Sequence, residues 1–216
     1  MKRRTLDILF SIGGLVLAGL MLVAGLVLTS NANFAKNYVT DQLTAQKIAF
    51  KSAETLTEEE RQRPCLVEYA GQQLTTGKQA ECYANDFIGL HLASTADGKT
   101  YAELGTPQSQ LRTQVQQAQE TNDPALASLQ KELAAITAQR DTLFRGETLR
   151  GLLLTSYGFS EFGTKAATAA TVAYLAAALL ALLAFAGLIH AFRTPATRAF
   201  APAEESPART PEPAVR

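Results

Sequence analysis

Two unbroken apolar blocks divide the chain, and between them apolar side chains recur mostly at helical spacing. Residues 8–28, ILFSIGGLVLAGLMLVAGLVL, carry no charge and Ser11 as the one hydroxyl; residues 166–189, AATAATVAYLAAALLALLAFAGLI, are again uncharged. At about 1.5 Å per residue, either block covers the roughly 30 Å hydrocarbon core of a bilayer. Both are apolar on every face and longer than an ordinary core helix, so the pattern predicts two transmembrane helices. A cleaved signal peptide is the alternative for the first block, with Lys2, Arg3 and Arg4 as its basic start and Ser30 and Ala32 as small residues near a cleavage point. Its apolar stretch exceeds the roughly 7 to 15 residues of a signal core, which favours an uncleaved anchor.

The stretch after residue 28 keeps helical spacing, with Phe34, Tyr38, Leu43 and Ile48 loosely on one side and no proline before Pro64. The first membrane helix is therefore expected to run on beyond the bilayer. Thr57 followed by Glu60 fits a capping box, so a short helix starts there and stops before Pro64. In GKQAECYANDFIGLHLAS, Ala80, Tyr83, Ala84, Phe87, Ile88 and His91 recur at three and four residues, an amphipathic helix with an aromatic-rich face. ADGKTYAELGTP, punctuated by Gly98, Gly105 and Pro107, reads as a loop. Beyond it come Leu111, Val115 and Ala118, the break NDP, and then Leu126, Leu129, Leu133, Ile136, Arg140 and Leu143. That series is a short heptad seam interrupted by Arg140; it suits a helix packed in an antiparallel bundle or one that self-associates. Leu149, Leu152, Leu153 and Tyr157 share one side of the return segment and suit a helix lying at the membrane interface. The fold class predicted is thus all-α: a cytoplasmic N-terminus (residues 1–7), two transmembrane helices, a helical extracytoplasmic domain (29–165) and a disordered cytoplasmic tail (190–216) rich in proline.

Charge fixes the orientation. Lys2, Arg3 and Arg4 precede the first block, and Arg193 and Arg198 follow the second with His190 at its edge, so both termini are expected in the cytoplasm of a plasma-membrane protein. Phe34, Tyr38, Tyr157, Phe159 and Phe162 fall near the outer ends, where an aromatic belt belongs. The 20 Lys+Arg balance the 20 Asp+Glu, which removes the basic signature of a nucleic-acid binder. Neither block contains an ionisable group to line an ion path, so a transporter is disfavoured. Small residues do line possible packing faces, Gly14, Ala18, Met21 and Gly25 in the first block and Ala169, Ala173, Ala177, Ala181 and Ala184 in the second. They suit packing of the two spans on each other, a homo-oligomer or a membrane-protein partner, with the lipid bilayer around them.

Candidate chemistry centres on the two cysteines, Cys65 and Cys82. On the oxidising side of a membrane, two cysteines in a small domain most simply form one disulfide; two free thiols or an intermolecular bridge remain as alternatives. Cys82 and His91 lie nine residues apart in one predicted helix, on opposite sides of it, which does not suit a thiol nucleophile and its base. Cys65, Cys82 and His91 lack the close pairing of a structural zinc site. Glu58, Glu59 and Glu60 suit a helix N-terminus through the macrodipole. No phosphate-cradling loop, nucleophile elbow or metalloprotease motif occurs, and neither cofactor nor metal is implied.

The segments TDQLTAQKIAF, PCLVEYAGQQLTTGKQAECYANDFIGLHL, DGKTYAEL and ETLRGLLLTSYGF, in this order, resemble a group of uncharacterised two-span membrane proteins of actinobacteria. The resemblance covers most of residues 1–192. Members of that group are sometimes labelled ring-opening dioxygenases. Such an enzyme needs a metal set such as two histidines and a carboxylate, whereas His91 and His190 are expected on opposite sides of the membrane, so the label does not carry over. The expected function is a non-enzymatic scaffold, accessory subunit or sensor in an envelope process. An extracytoplasmic module for lipid or cell-wall material, with a groove between residues 78–93 and the heptad helix, is the second reading, and an envelope enzyme the third.

Overall fold

The structure, a computed structural model, describes residues 3–195. Among these residues the regular elements are helical: α1 (Arg3–Ala45), α2 (Glu58–Arg61), α3 (Pro64–Glu68), α4 (Gly77–Cys82), α5 (Gly89–Thr95), α6 (Gly105–Thr121) and α7 (Leu126–Arg193). A 3-10 turn covers Ala53–Thr55 and a π-helical segment, Tyr83–Ile88, joins α4 to α5. The chain divides into two compact units, Met1–Thr29 with Ala167–Arg216, and Ser30–Ala166.

In the first unit, α1 and α7 meet through small residues. Ser11, Ala18, Ala170, Ala173, Ala177 and Ala184 are buried, and Gly14 faces Ala184 so closely that a Cβ on it would lie 3.3 Å from the alanine methyl. Gly25 accommodates the Tyr174 ring, where a Cβ would come within 2.6 Å of Cε1, and Gly187 leaves room for Ser11 Oγ. Tyr174 Oη and Thr29 Oγ1 are hydrogen-bonded at 3.0 Å, and His190 Nδ1 lies 3.0 Å from Asp7 Oδ2. Of the expected second stripe, Ala173 and Ala177 are buried, Ala181 is half-buried and Ala169 is exposed. Steps of four residues advance about 400°, so a stripe built only of fours drifts off the contact; alternating steps through Ala170, Ala173, Ala177 and Ala184 stay on it. The large side chains point away from this contact: Phe10, Val16, Leu20, Leu175, Leu182 and Phe185 are all exposed. Only 11% of the most apolar stretch of α1 and 17% of that of α7 is buried, the reverse of a core helix in a water-soluble fold. Both helices are long and apolar enough to cross a membrane. Residues 190–193, expected in the tail, are the last turn of α7, and 194–195 follow it; residues 196–216 of that predicted tail lie outside the described residues.

In the second unit α1 continues to Ala45, as its proline-free sequence predicts, but Ile48 is not part of it. Lys47 turns left-handed (φ 53°), and residues 48–51 then run extended against residues 71–74. Phe50 N–H donates to Gln72 O, Gly71 N–H to Lys51 O and Leu74 N–H to Ile48 O, each at 2.9 Å, around a lone antiparallel bridge between Ala49 and Gln73. The inward stripe of α1 is Ala32, Ala35, Val39 and Leu43, while Phe34 and Tyr38 are exposed. Small residues win the inner face because α7 comes close there: a Cβ at Gly163 would sit 2.9 Å from that of Ala35.

The capping box at Thr57 is present, Thr57 Oγ1 accepting from Glu60 N–H and Glu60 Oε2 from Thr57 N–H. A second, Thr76 with Gln79, opens α4. Phe50, Leu66, Leu74, Ala84, Ile88 and Leu153 belong to one buried cluster, to which α7 also contributes Leu143. The heptad seam turns inward: Leu126, Leu129, Leu133, Ile136 and Arg140 are half-buried and Leu143 is buried. Arg140, out of place in an apolar seam, donates from Nε to Tyr101 O at 3.2 Å and from Nη1 to Gln108 Oε1, and stacks 4.0 Å over the Tyr101 ring. It binds the loop before α6 to α7. Gly105 and Pro107, expected in that loop, instead form the first turn of α6, where the missing N–H of proline costs nothing. The return segment from Leu149 to Tyr157 is an internal stretch of α7 rather than a separate interfacial helix.

Leu74 is fully buried and Val67 is half exposed. Leu74→Ala should therefore cost about 2 to 5 kcal/mol and Val67→Ala under about 1 kcal/mol, read from hydrogen exchange of the residue 30–166 helices in detergent.

Candidate functional site

Two places in the second unit gather groups able to act on something else. One is polar and built around the short helices; the other is an apolar groove on the long ones.

The polar cluster begins with the cysteines. Cys65, in the first turn of α3, and Cys82, at the end of α4, have their Sγ atoms 2.04 Å apart and their Cα atoms 6.0 Å apart, so the structure joins them within one chain. Asp86, from the π segment, places Oδ2 3.1 Å from Cys65 Sγ, with Arg63 Nη1 3.6 Å from its other oxygen. The joined sulfur carries no hydrogen, so this is a carboxylate lying against a disulfide. Cys65, Cys82 and Asp86 are the ligand-type residues that gather here, within 4.8 Å of one another. A disulfide sulfur is not a thiolate, and thiolate is what a metal or a nucleophilic reaction requires. His91, the third residue weighed with the cysteines, faces elsewhere. Its Nδ1 lies 2.7 Å from Phe87 O, which can only accept, and its Nε2 lies 3.5 Å from Glu60 Oε1, with 49% of the side chain exposed.

Glu60 is the buried charge of this region. Its side chain is fully buried, its Oε1 accepts from Lys51 Nζ at 2.7 Å, and its Oε2 accepts from Thr57 N–H at 2.8 Å. Lys51 also lies 5.3 Å over the Phe87 ring, within an aromatic series of Tyr69, Phe50, Tyr83, Phe87 and His91 whose neighbours are 4.6 to 5.5 Å apart. Burial raises the Glu60 pKa, but the Lys51 and Thr57 hydrogen bonds and the charges of Lys51 and His91 outweigh it, so the carboxyl is held below its ordinary value. Burial raises the Tyr83 pKa. With both oxygens already engaged, Glu60 ties the extended segment, α2 and α5 together instead of meeting a substrate. A shallow hollow of about 400 Å³ beside it is lined by Thr57, Glu58, Glu59, Leu90, His91 and Ser94.

The apolar groove lies between the C-terminal part of α1 and the middle of α7. It has a volume of about 420 Å³ and is floored by the buried Val39, Leu43 and Leu153 with Leu149, Leu152, Tyr38 and Phe159 around it. A groove was expected between residues 78–93 and the heptad helix. That position is filled: Leu92 of α5 packs so tightly on Gly146 of α7 that a Cβ there would strike its methyl groups, and Arg150 donates to Asn85 Oδ1 at 3.2 Å.

The sequence patterns missed Asp86 and the inward turn of Glu60. Glu60's place as third residue of a capping box was the one available signal, since that position points the carboxylate back at the chain. The groove's walls were visible as two separate stripes, but their facing each other was not. Comparison with family models, with curated proteins and with solved structures finds no match for this chain.

A carboxyl whose folded pKa is lowered adds stability above its unfolded value near 4.3 and loses it as pH falls through the folded value. Acid titration should thus weaken the second unit below about pH 4.3, and Glu60→Gln should flatten that slope while costing roughly 1 to 2 kcal/mol at pH 7, less than a wholly buried pair because Lys51 is partly exposed. Melting curves at several pH values read both. Replacing Cys65 and Cys82 by serine together should cost about 3 kcal/mol, from the reopened 17-residue separation; thiol alkylation of the native protein without reductant should add no mass.

Proposed function

We propose that this chain is a two-span plasma-membrane protein whose termini lie in the cytoplasm and whose residue 30–166 unit works outside as a non-enzymatic scaffold, accessory subunit or sensor. One observation carries the membrane reading. The large apolar side chains of residues 8–28 and 166–189 face outward on helices that are mostly unburied, and hydrocarbon is the surrounding that removes this cost. The cations flanking the two blocks support the orientation, and the joined cysteines suit the oxidising side. A non-enzymatic role is supported by the engagement of the chemically able groups: both cysteines are joined, both Glu60 oxygens are bonded, and His91 Nδ1 is tied to its own helix.

A second reading, a module that takes lipid or wall-derived ligands, is favoured by the groove, though not at the helix pair where the stripes suggested it.

Protease added to intact spheroplasts should cut within residues 30–166 and spare tags at both ends. Digested tags with a protected middle, or a chain recovered in the soluble fraction, would reverse the assignment. Cross-linking in mild detergent should then recover a membrane partner; a chain that stays alone throughout counts against an accessory role.

A further inference from the structure

We infer that a cleft between α1 and α7, at the Arg3 end of the first unit, binds one anionic phospholipid. Its phosphate meets arginines and one acyl chain follows the cleft. The inference rests on the membrane reading above and adds a ligand and a site to it.

The cleft has a volume of about 260 Å³ and belongs wholly to the first unit. Phe10 and Gly14 of α1 and Leu180, Leu183 and Gly187 of α7 give it apolar walls. Ser11 Oγ reaches into the place that a Cβ on Gly187 would take. This serine is 4% exposed and lines the cleft, and among the described residues its hydroxyl makes no hydrogen bond. A hydroxyl held away from water without an acceptor is costly, and in a bilayer water does not reach it freely. The ester carbonyl of a lipid is the acceptor that such surroundings supply.

One turn past the cleft, both helices carry cations on the same stripe. Arg3, Asp7, Phe10 and Gly14 succeed one another at steps of four, three and four, and Leu183, Gly187, His190 and Arg193 at steps of four, three and three. The two helices are tied together there. His190 Nδ1 lies 3.0 Å from Asp7 Oδ2, and the Arg4 guanidinium lies 5.8 Å over the Phe192 ring. The carboxylate at the cleft is thereby engaged. Arg3 and Arg193 are exposed and Arg4 is half-buried, and among the described residues none of the three forms an ion pair.

Charge complementarity identifies the occupant. Guanidinium groups hold phosphate through paired hydrogen bonds, and basic pockets between membrane helices take anionic headgroups. Along α1 the order is arginine, then the unpaired hydroxyl, then apolar wall. A phospholipid presents phosphate, ester and acyl chain in the same order. A choline headgroup brings its own cation to the arginines and gains less than glycerol or inositol would.

The test is native mass spectrometry of the full chain, freed from detergent with equal amounts of a phosphatidylglycerol and a phosphatidylcholine of the same acyl chains. One phosphatidylglycerol should stay bound with about a tenfold preference, equivalent to about 1.4 kcal/mol. Arg3→Gln, Arg4→Gln and Arg193→Gln together should abolish the preference. Ser11→Ala, and Leu183→Trp, which fills the cleft from an exposed position, should each lower phosphatidylglycerol binding severalfold. Lys36→Gln, an exposed cation of the second unit, should leave it unchanged. Flotation with liposomes and far-ultraviolet circular dichroism check that each variant inserts and is helical. Equal retention of the two lipids would overturn the site, as would a preference that survives the triple arginine change. Binding indifferent to both Ser11→Ala and Leu183→Trp, or displaced by glycerol phosphate alone, would overturn the acyl chain's place in the cleft. A wild-type chain that floats with liposomes and shows no preference overturns this inference alone; one that does not float overturns the membrane reading with it.

Discussion

Close approach at positions that lack a side chain is the constraint on which this structure depends. Within the first unit, Gly14, Gly25 and Gly187 let α1 and α7 touch, and within the second, Gly163 admits Ala35, Gly146 admits Leu92, and Gly77 admits Ser160. A Cβ at any of these six would collide or press on its neighbour. In hydrocarbon, where apolar side chains gain nothing by leaving lipid for one another, such backbone proximity supplies most of the dispersion available for holding helices together. In the second unit the same proximity accompanies the almost complete burial of Leu74, Leu66 and Ala84. Larger residues at the contacts would push Val39, Leu43 and Leu153 apart and open the core.

The polar interactions act around that packing and decide which short elements stay in place. Lys51 and Glu60 fix the extended segment to α2, Arg140 fixes the Tyr101 loop to α7, and Lys78 fixes α4 to α7 through Tyr157 Oη at 3.2 Å and Glu161 at 3.6 Å. The hydrogen bonds that Lys78 donates to Tyr157 Oη and Glu81, chiefly, raise its pKa, so it stays charged over the ordinary pH range. Each cation lies on or near an aromatic ring as well as a hydrogen-bond acceptor. The guanidinium and ammonium stems thereby cover apolar surface while their heads remain partly hydrated.

Periodicity carries a good part of this architecture: the two apolar blocks, the run-on of α1, the Thr57 capping box and the inward heptad face of α7 all follow from local sequence. What escaped it depends on which stripes face each other. Phe34, Tyr38, Leu43 and Ile48 share a side only loosely, and of these Leu43 alone joins the inner face with Ala32, Ala35 and Val39, because Gly163 of α7 decides how much volume fits there. Ala169 belongs to a plausible stripe and still lies outside, since a step of four drifts by about 40° each time. Asp86 carries no signal at all in the sequence; it meets the sulfurs by way of a local change of helix geometry.

That change has a further consequence. From Tyr83 to Ile88 the backbone is wound in the wider π form, which absorbs one residue more than an α-turn between the Cys82 end and the Leu92 end. Excising one residue there would relax the stretch to ordinary winding and leave the Cys82 and Leu92 ends close to their present orientations, because six π residues turn the chain about as far as five α residues. The same excision within α4 or α5 would rotate everything downstream by about 100°, and either Cys82 or Leu92 would lose its partner. Chain length can therefore shorten by one residue here where it cannot in the flanking turns.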